Sequence, residues 1–251
     1  MLATWRLIRD EAGDAAWNMA VDEAVLESVI AGEQPPTLRF YHWAKPSVSL
    51  GRFQQRERVL HLALCRERGI QLVQRLTGGK AVLHGHDLTL CVVVPLRFFA
   101  PAHRVLEVHL QLVHALAKGF RLLGIDARPV SRTDARTLRG SHAGCFEYAL
   151  PGDLATPEGV KLAGGAQYRR ADTVMEQVSI PIEPLPDVLH GCLQPWNEPA
   201  PSPLQGVSRG ELTGALVEGF AAEFGIQWQQ ARLSDAEIAR AQGLLEKYFQ
   251  G

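Results

Sequence analysis

Two residues in this chain are best placed to do chemistry: Cys145 and Lys161. The cysteine stands in Ser141-His142-Ala143-Gly144-Cys145-Phe146-Glu147-Tyr148, and the lysine in Val160-Lys161-Leu162-Ala163-Gly164-Gly165-Ala166-Gln167. Pro151, Gly152 and Asp153 lie between them and predict the turn of an antiparallel hairpin that brings the two side chains together. A thiol attacks a carbonyl carbon as its thiolate, and a neighbouring ammonium stabilises that form. The run Ala163-Gly164-Gly165-Ala166 lets a ligand or another strand come close to the backbone. The competing reading is a buried cysteine packed as a small hydrophobe and a solvated lysine. The other cysteines have structural readings. Cys65 sits in a short helix among Leu62, Ala63 and Leu64, and Cys91 in an apolar strand. Cys192 is the one rival nucleophile, and it has no lysine or glycine-rich partner nearby in sequence.

A second segment, Gln74-Arg75-Leu76-Thr77-Gly78-Gly79-Lys80-Ala81-Val82-Leu83-His84, places adjacent glycines after a strand. Such glycines permit backbone conformations and ligand approach that a Cβ would block. Arg75 and Lys80 bracket them with positive charge, which suits an anion or a polar acyl carrier; a tight hairpin turn is the plainer reading. The loop matches neither GxxxxGK[ST] nor GxGxxG, so no nucleotide-phosphate loop is implied. Gly51, in Gly51-Arg52-Phe53-Gln54, reads as a close-packing glycine or a plain turn. His42 and Trp43 read as a loop with a packed aromatic. His84, His86 and Asp87 lack a further acidic or cysteine ligand, so they read as satisfied loop residues and no metal is expected.

The elements that must position these residues follow from periodicity. Asp14 caps a predicted helix from Ala15 to about Ile30 with Trp17, Ala20, Val21, Ala24, Val25 and Ser28 on one face; Asp22 and Glu23 read as its solvated side. Strands are predicted at 37–41, 47–50, 70–73 and 125–129. Strands 81–84 and 88–94 are predicted to form a hairpin around Gly85-His86-Asp87, and a further strand covers 174–180. Helices are predicted at 60–68, 103–123, 210–224 and 235–249, the last capped by Ser234. Residues 181–203, rich in Pro and polar residues, read as a surface excursion. Strands arrive mostly as adjacent pairs with helices interspersed irregularly. This favours an α+β fold with mixed, mostly antiparallel sheets packed with helices.

Composition bounds the function. The chain has 251 residues, 46% hydrophobic residues and a net charge of -1. It is expected to be soluble, with no basic excess to bind nucleic acid and no apolar run of membrane-spanning length. The N-terminus lacks the apolar stretch of a signal peptide. Four separated cysteines without a CxxC pair argue against a zinc site or a disulfide framework, so a cytoplasmic location is expected.

Together these segments resemble the lipoate-protein ligase A and octanoyltransferase family, on the biotin/lipoate protein ligase catalytic fold. The resemblance begins at the Asn18-Met19-Ala20-Val21-Asp22-Glu23 helix and runs to about Ile180. It rests on Leu38-Arg39-Phe40-Tyr41 with Leu50-Gly51-Arg52-Phe53-Gln54, on Arg75 to His84 with Asp87-Leu88-Thr89, on Cys145-Phe146, and on Lys161 to Gln167. It implies that Cys145 and Lys161 are catalytic, Lys161 being the functional lysine of the fold. It also implies that Arg75, Gly78, Gly79, His84, Gly164, Gly165, Ala166 and Gln167 line an acyl pocket. Neither cofactor nor metal is implied. A single catalytic domain over 1–251, with its core at about 15–225 and no separate accessory domain, is expected.

The Cys-Phe pair before the lysine resembles the octanoyltransferase branch. That branch takes octanoate from acyl carrier protein, holds it as a cysteine thioester and passes it to a lysine of a lipoyl domain in lipoate biosynthesis. The acceptor belongs to a 2-oxoacid dehydrogenase or is the glycine cleavage H protein. The alternatives are an ATP-dependent ligase subunit, an octanoyl amidotransferase acting between lipoyl-carrying proteins, or a non-enzymatic acyl-carrier-binding module. The biotin-ligase Gly-Arg-Gly-Arg loop is absent. Two departures stand out: Gln177-Val178-Ser179-Ile180 replaces Gln-His-Gly-Ser-Ile, and Gly165 replaces a serine.

Overall fold

The computed structural model describes residues 2–131, 143–202 and 204–249; Ser141 and His142 lie outside the described residues. In chain order the elements are β1 (Ala3–Gly13), α1 (Ala15–Ile30), β2 (Thr37–Trp43), β3 (Ser47–Leu50), α2 (Arg56–Val59), α3 (Leu62–Glu67), β4 (Gln71–Gln74), β5 (Val82–His84) and β6 (Asp87–Pro95). There follow α4 (Val105–Leu122), β7 (Arg128–Pro129), β8 (Leu154–Ala155), β9 (Lys161–Arg170), β10 (Thr173–Pro181), α5 (Arg209–Phe224), β11 (Ile226–Ala231) and α6 (Asp235–Tyr248).

Eight strands form one sheet in the order β11-β1-β2-β6-β10-β9-β8-β7, and β4-β3-β5 form a second. In the large sheet only β11-β1 and β1-β2 run parallel; the pairs from β2-β6 onward are antiparallel. The α+β class with mixed, mostly antiparallel sheets is what the strand pattern predicted.

Alternation on the central strands sets the layers. Leu88, Leu90, Val92 and Val94 of β6 pack with Val108, Leu112 and Leu116 of α4 and with Leu212 and Leu216 of α5. Cys91 and Val93 pack on the other face with α1 and α6. With helices on both faces, β6 is buried along its whole length, which explains its nearly unbroken apolar run. A third cluster joins Val48, Leu50 and Leu83 of the small sheet to Cys65, Leu189, Cys192 and Leu193. The described part of the predicted excursion, residues 181–202, is therefore more than a surface excursion, because its apolar residues close that cluster.

Several predicted details differ. β5 and β6 do not form a hairpin. β5 pairs with β3 and β6 with β2 and β10, and Gly85, at φ 120°, turns the chain from one sheet to the other. β1 and β11 were not read from the sequence. His42 and Trp43 end β2 instead of lying in a loop. Asp22 and Glu23 are buried, not solvated. Asp22 accepts from Arg39 Nη1 at 2.7 Å, Tyr41 Oη at 2.8 Å and Gln177 Nε2 at 2.6 Å. Arg39 also donates to Asp10 Oδ2 at 2.8 Å and Asn18 O at 3.2 Å. Glu23 accepts from Lys247 and Tyr248 of α6, each at 2.6 Å. Helix periodicity reports burial through apolar residues and cannot see a charge buried on its partners.

Removing one member of a buried ion pair leaves the other charge without compensation. Arg39→Met should therefore lower unfolding free energy by about 3–5 kcal/mol, read as a lower midpoint in urea with an unchanged slope. A loss below about 1 kcal/mol, typical of exposed pairs, would show that Asp22 does not depend on this guanidinium.

Candidate active site

β5 and the chain before it form the wall on which the site is built. Cys145 follows a short parallel bridge between Gly144 and Ala81. Its amide donates to Ala81 O at 2.8 Å, and Ala81 N donates to Ala143 O at 3.1 Å. The cysteine is thus held by the glycine-rich segment, not by a strand paired to that of Lys161. The hairpin that carries Lys161 is β8-β9, and it turns at 156–160, where Thr156 N donates to Val160 O at 2.9 Å. Pro151-Gly152-Asp153 is a separate turn before β8, closed by Asp153 N donating to Leu150 O at 2.9 Å.

That turn delivers a residue the sequence reading missed. Lys161 Nζ donates to Asp153 Oδ2 at 2.7 Å and Cys145 O at 3.1 Å, and lies 3.4 Å from Cys145 Sγ. An ammonium has three protons, so these partners account for all its donors. The Lys161 side chain is nearly buried. Burial acts against its charge, yet Cys145 and the Asp153 carboxylate outweigh this and hold the ammonium above the ordinary lysine pKa. The only hint in sequence was an acidic residue at a turn, where a local backbone role is the common one. Asp153 Oδ2 fills that role too, accepting from Leu150 N at 2.7 Å.

Gly164 faces the thiol. A Cβ there would lie 2.7 Å from Cys145 Sγ, so a side chain would displace the sulfur. Cys145 is half-buried, whereas Cys65, Cys91 and Cys192 are buried. The thiol opens on a cavity walled by Val82 and His84 of β5, Gly164 to Ala166 of β9, Tyr41 and Trp43 of β2, and Met19 of α1. Trp43 stacks on the His84 ring with centroids 3.8 Å apart. His84 bridges Ser49 Oγ and Asp87 Oδ2, both at 2.8 Å. Asp87 also accepts from Ser179 and Thr89. Burial opposes its charge, but His84 beside it and these hydrogen bonds hold its carboxyl well below the usual carboxylate range. Among the described residues no group of three or more His, Cys, Asp and Glu is arranged to hold a metal ion.

The glycine-rich loop is held from within. Arg75 lines the cavity, but its guanidinium donates to Ser49 O, Gly78 O and Lys80 O at 2.7–2.8 Å. Burial lowers its pKa to about 10. The cation thus clamps the loop carbonyls rather than standing open to an anion. Gly51 packs so closely on this loop that a Cβ would overlap the Gly79 carbonyl oxygen, so the close-packing reading holds. Of the residues expected to line the pocket, Arg75, Gly79, His84, Gly164, Gly165 and Ala166 do so; Gly78 and Gln167 do not. Strand alternation turns Gln167 toward α4, where it donates to Glu176 Oε2 at 2.9 Å. Glu176 also faces His109 Nδ1 at 2.6 Å. A Cβ on Gly165 would lie 2.9 Å from Glu176 Oε1 and 3.1 Å from the His109 ring. This explains glycine where a serine was expected. Gln177, in the segment that departs from the resemblance, lines the cavity and accepts from Thr77 at 2.8 Å.

Residues 14–215 match the family described as lipoyl protein ligase A/B catalytic domain. Octanoyltransferase LipM of an Exiguobacterium species is 34% identical over 98% of this chain and 95% of its own. Octanoyltransferase LipM of Kyrpidia tusciae is 34% identical over 99% and 97%. Among solved structures, a putative lipoate protein ligase from T. acidophilum with bound lipoic acid superposes with a TM-score of 0.80 at 27% identity, covering 98% of this chain and 96% of that one. A bi-partite lipoate protein ligase from Thermoplasma acidophilum, described with its E2 lipoyl domain, gives 0.80 at 25%, covering 99% and 94%. With the family match spanning most of the chain and full-length similarity to named octanoyltransferases, the chain belongs to the lipoyl protein ligase A/B catalytic domain family and is an acyltransferase.

Proposed function

We propose that the protein takes an octanoyl group from the thioester of an acyl carrier protein onto Cys145. It then passes the group to the side-chain amine of a lysine on a lipoyl domain or glycine cleavage H protein. The observation that carries this reading is the Lys161 ammonium 3.4 Å from Sγ of Cys145, which lines the cavity. The names of the octanoyltransferase relatives support the acyl group, and the bi-partite ligase described with a lipoyl domain supports the acceptor.

The chemistry follows from these groups. The Cys145 thiolate attacks the donor carbonyl, a new C–S bond forms, and the donor C–S bond breaks. The departing thiolate takes a proton from Lys161. A neutral lysine amine of the acceptor then attacks the thioester on Cys145, gives its proton to Lys161 and expels the Cys145 thiolate, leaving an amide. Thioester exchange conserves bond type and amide formation from a thioester is downhill, so no nucleotide is needed. Lys161 serves both halves as charge partner of the sulfur and as proton relay. Asp153 holds it in place and keeps it cationic.

Mixing the protein with octanoyl carrier protein, without ATP, should give one octanoyl addition in intact-mass spectra, absent in Cys145→Ala. Full acylation in that variant would remove Cys145 from the mechanism. Labelling of a lipoyl domain by free octanoate and Mg-ATP, but not by octanoyl carrier, would establish the ligase reading instead.

Single-turnover transfer from acylated Cys145 to a lipoyl domain should slow by about 10²-fold or more in Lys161→Met, the scale of general acid–base catalysis. Lys161→Arg keeps the charge but cannot titrate in range, so it should remain slow. Asp153→Asn should cost about tenfold, between the wild type and Lys161→Met. Wild-type rates in Lys161→Met would assign the lysine to binding alone.

A further inference from the structure

A second cavity meets Cys145 from the opposite side of β5. Strand alternation makes β5 and the residue before it a partition: Val82 and His84 face the first cavity, Ala81 and Leu83 the second. Gly144 and Phe146 beside the cysteine and Leu185, Leu193 and Pro199 also wall the second cavity, together with the exposed Asn197. Among the described residues, Cys145 alone lines both cavities.

One polar group breaks the apolar wall. His86 is 6% exposed and lines this cavity. Its backbone oxygen accepts from Ile182 and Glu183, both at 3.0 Å, but its ring Nδ1 is buried with no hydrogen-bond partner. Burial lowers its pKa, so the ring is neutral near pH 7. Buried polar side-chain atoms are seldom left unpaired, and one that is unpaired beside a cavity marks a place for a complementary group.

We propose that this second cavity binds the thiol arm of the donor thioester, and that His86 Nδ1 hydrogen-bonds an amide on that arm a few bonds from the sulfur. The inference rests on the thioester reading above. A thioester has two limbs that diverge from the carbonyl carbon. With the acyl limb in the first cavity and the carbonyl at Cys145 Sγ, the sulfur limb points into the second. The apolar walls take the methylenes, and His86 meets the amide. An incoming lysine side chain, four methylenes ending in an amine, has no amide to offer at that depth. The step balances: Cys145 gains the acyl group as its C–S bond forms, and the arm leaves as a thiol carrying the proton from Lys161.

The test compares two octanoyl thioesters, that of N-acetylcysteamine and that of pentanethiol, in which methylenes replace the amide. The rate of Cys145 acylation at subsaturating donor is read by intact mass. Wild type should favour the amide-bearing donor by about five- to tenfold, the scale of one net hydrogen bond. His86→Leu should bring the two rates together. Equal rates in wild type, or an undiminished preference in His86→Leu, would overturn the proposal while the thioester reading stands. Acylation by neither donor, nor by octanoyl carrier protein, would overturn that reading and this inference with it. Should His86→Leu not fold, Leu185→Trp fills the same cavity. It should slow acylation by the amide donor at least tenfold and leave iodoacetamide alkylation of Cys145 at the wild-type rate; unchanged acylation would again overturn the proposal.

Discussion

The carboxyl group of Asp22 must be buried among partners, and much of the site depends on how that is done. A lone charge in the interior is expensive enough that it persists only when paired and hydrogen-bonded. Asp22 is met by a guanidinium and a phenol from β2 and by an amide from β10. Those partners lock α1 against the sheet in one register. Met19 and Gln177, which line the cavity, are fixed by the same contacts, and Gln177 Nε2 lies 3.3 Å from Met19 Sδ. The cavity wall is therefore set by electrostatics first and by packing second.

The same logic recurs at smaller scale. Asp87 holds His84 in place, Arg75 closes the loop carbonyls, and Asp153 steadies Lys161. In each case a charge lies next to the cavity without being open to a ligand. The lining that remains is mostly apolar side chain and glycine backbone. Cys145 lines the cavity and is half-buried, so its thiol retains some access to solvent. A low-dielectric site strengthens the attraction between opposite charges over its value in water, and the buried Arg75 guanidinium lines the same cavity as Cys145.

Much of this was legible in the sequence. Glycines, the cysteine, the lysine and alternating apolar runs are local signals, and they located β5, β6, β9, β10 and the ends of α4, α5 and α6 to within a few residues. What was not legible depends on distant partners. β1 and β11 find their place only by pairing with each other and with β2. Asp22 and Glu23 look solvated until Arg39 and Lys247 are brought to them. The hairpin misreading around Gly85 arose because two neighbouring strands can leave for different sheets. For the site, Cys145 and Lys161 were correctly brought together but by the wrong turn, and Asp153, in that turn, was overlooked. Gln167 was expected in the pocket, although its neighbour Ala166 faces the cavity and alternation puts Gln167 on the other side.

His109 belongs to α4, on the far side of the sheet from the thiol. Both its ring nitrogens face oxygens, Glu176 at 2.6 Å and the Gly152 carbonyl at 3.2 Å. Both can donate only in the imidazolium. Although burial opposes that charge, Glu176 raises the imidazole pKa and favours it. Gly152 is the neighbour of Asp153, so the residue that anchors Lys161 is itself moored to α4. A substitution on α4 can thus shift the Asp153–Lys161 pair while every residue lining the cavity stays the same. Two family members with identical pockets need not be equally fast.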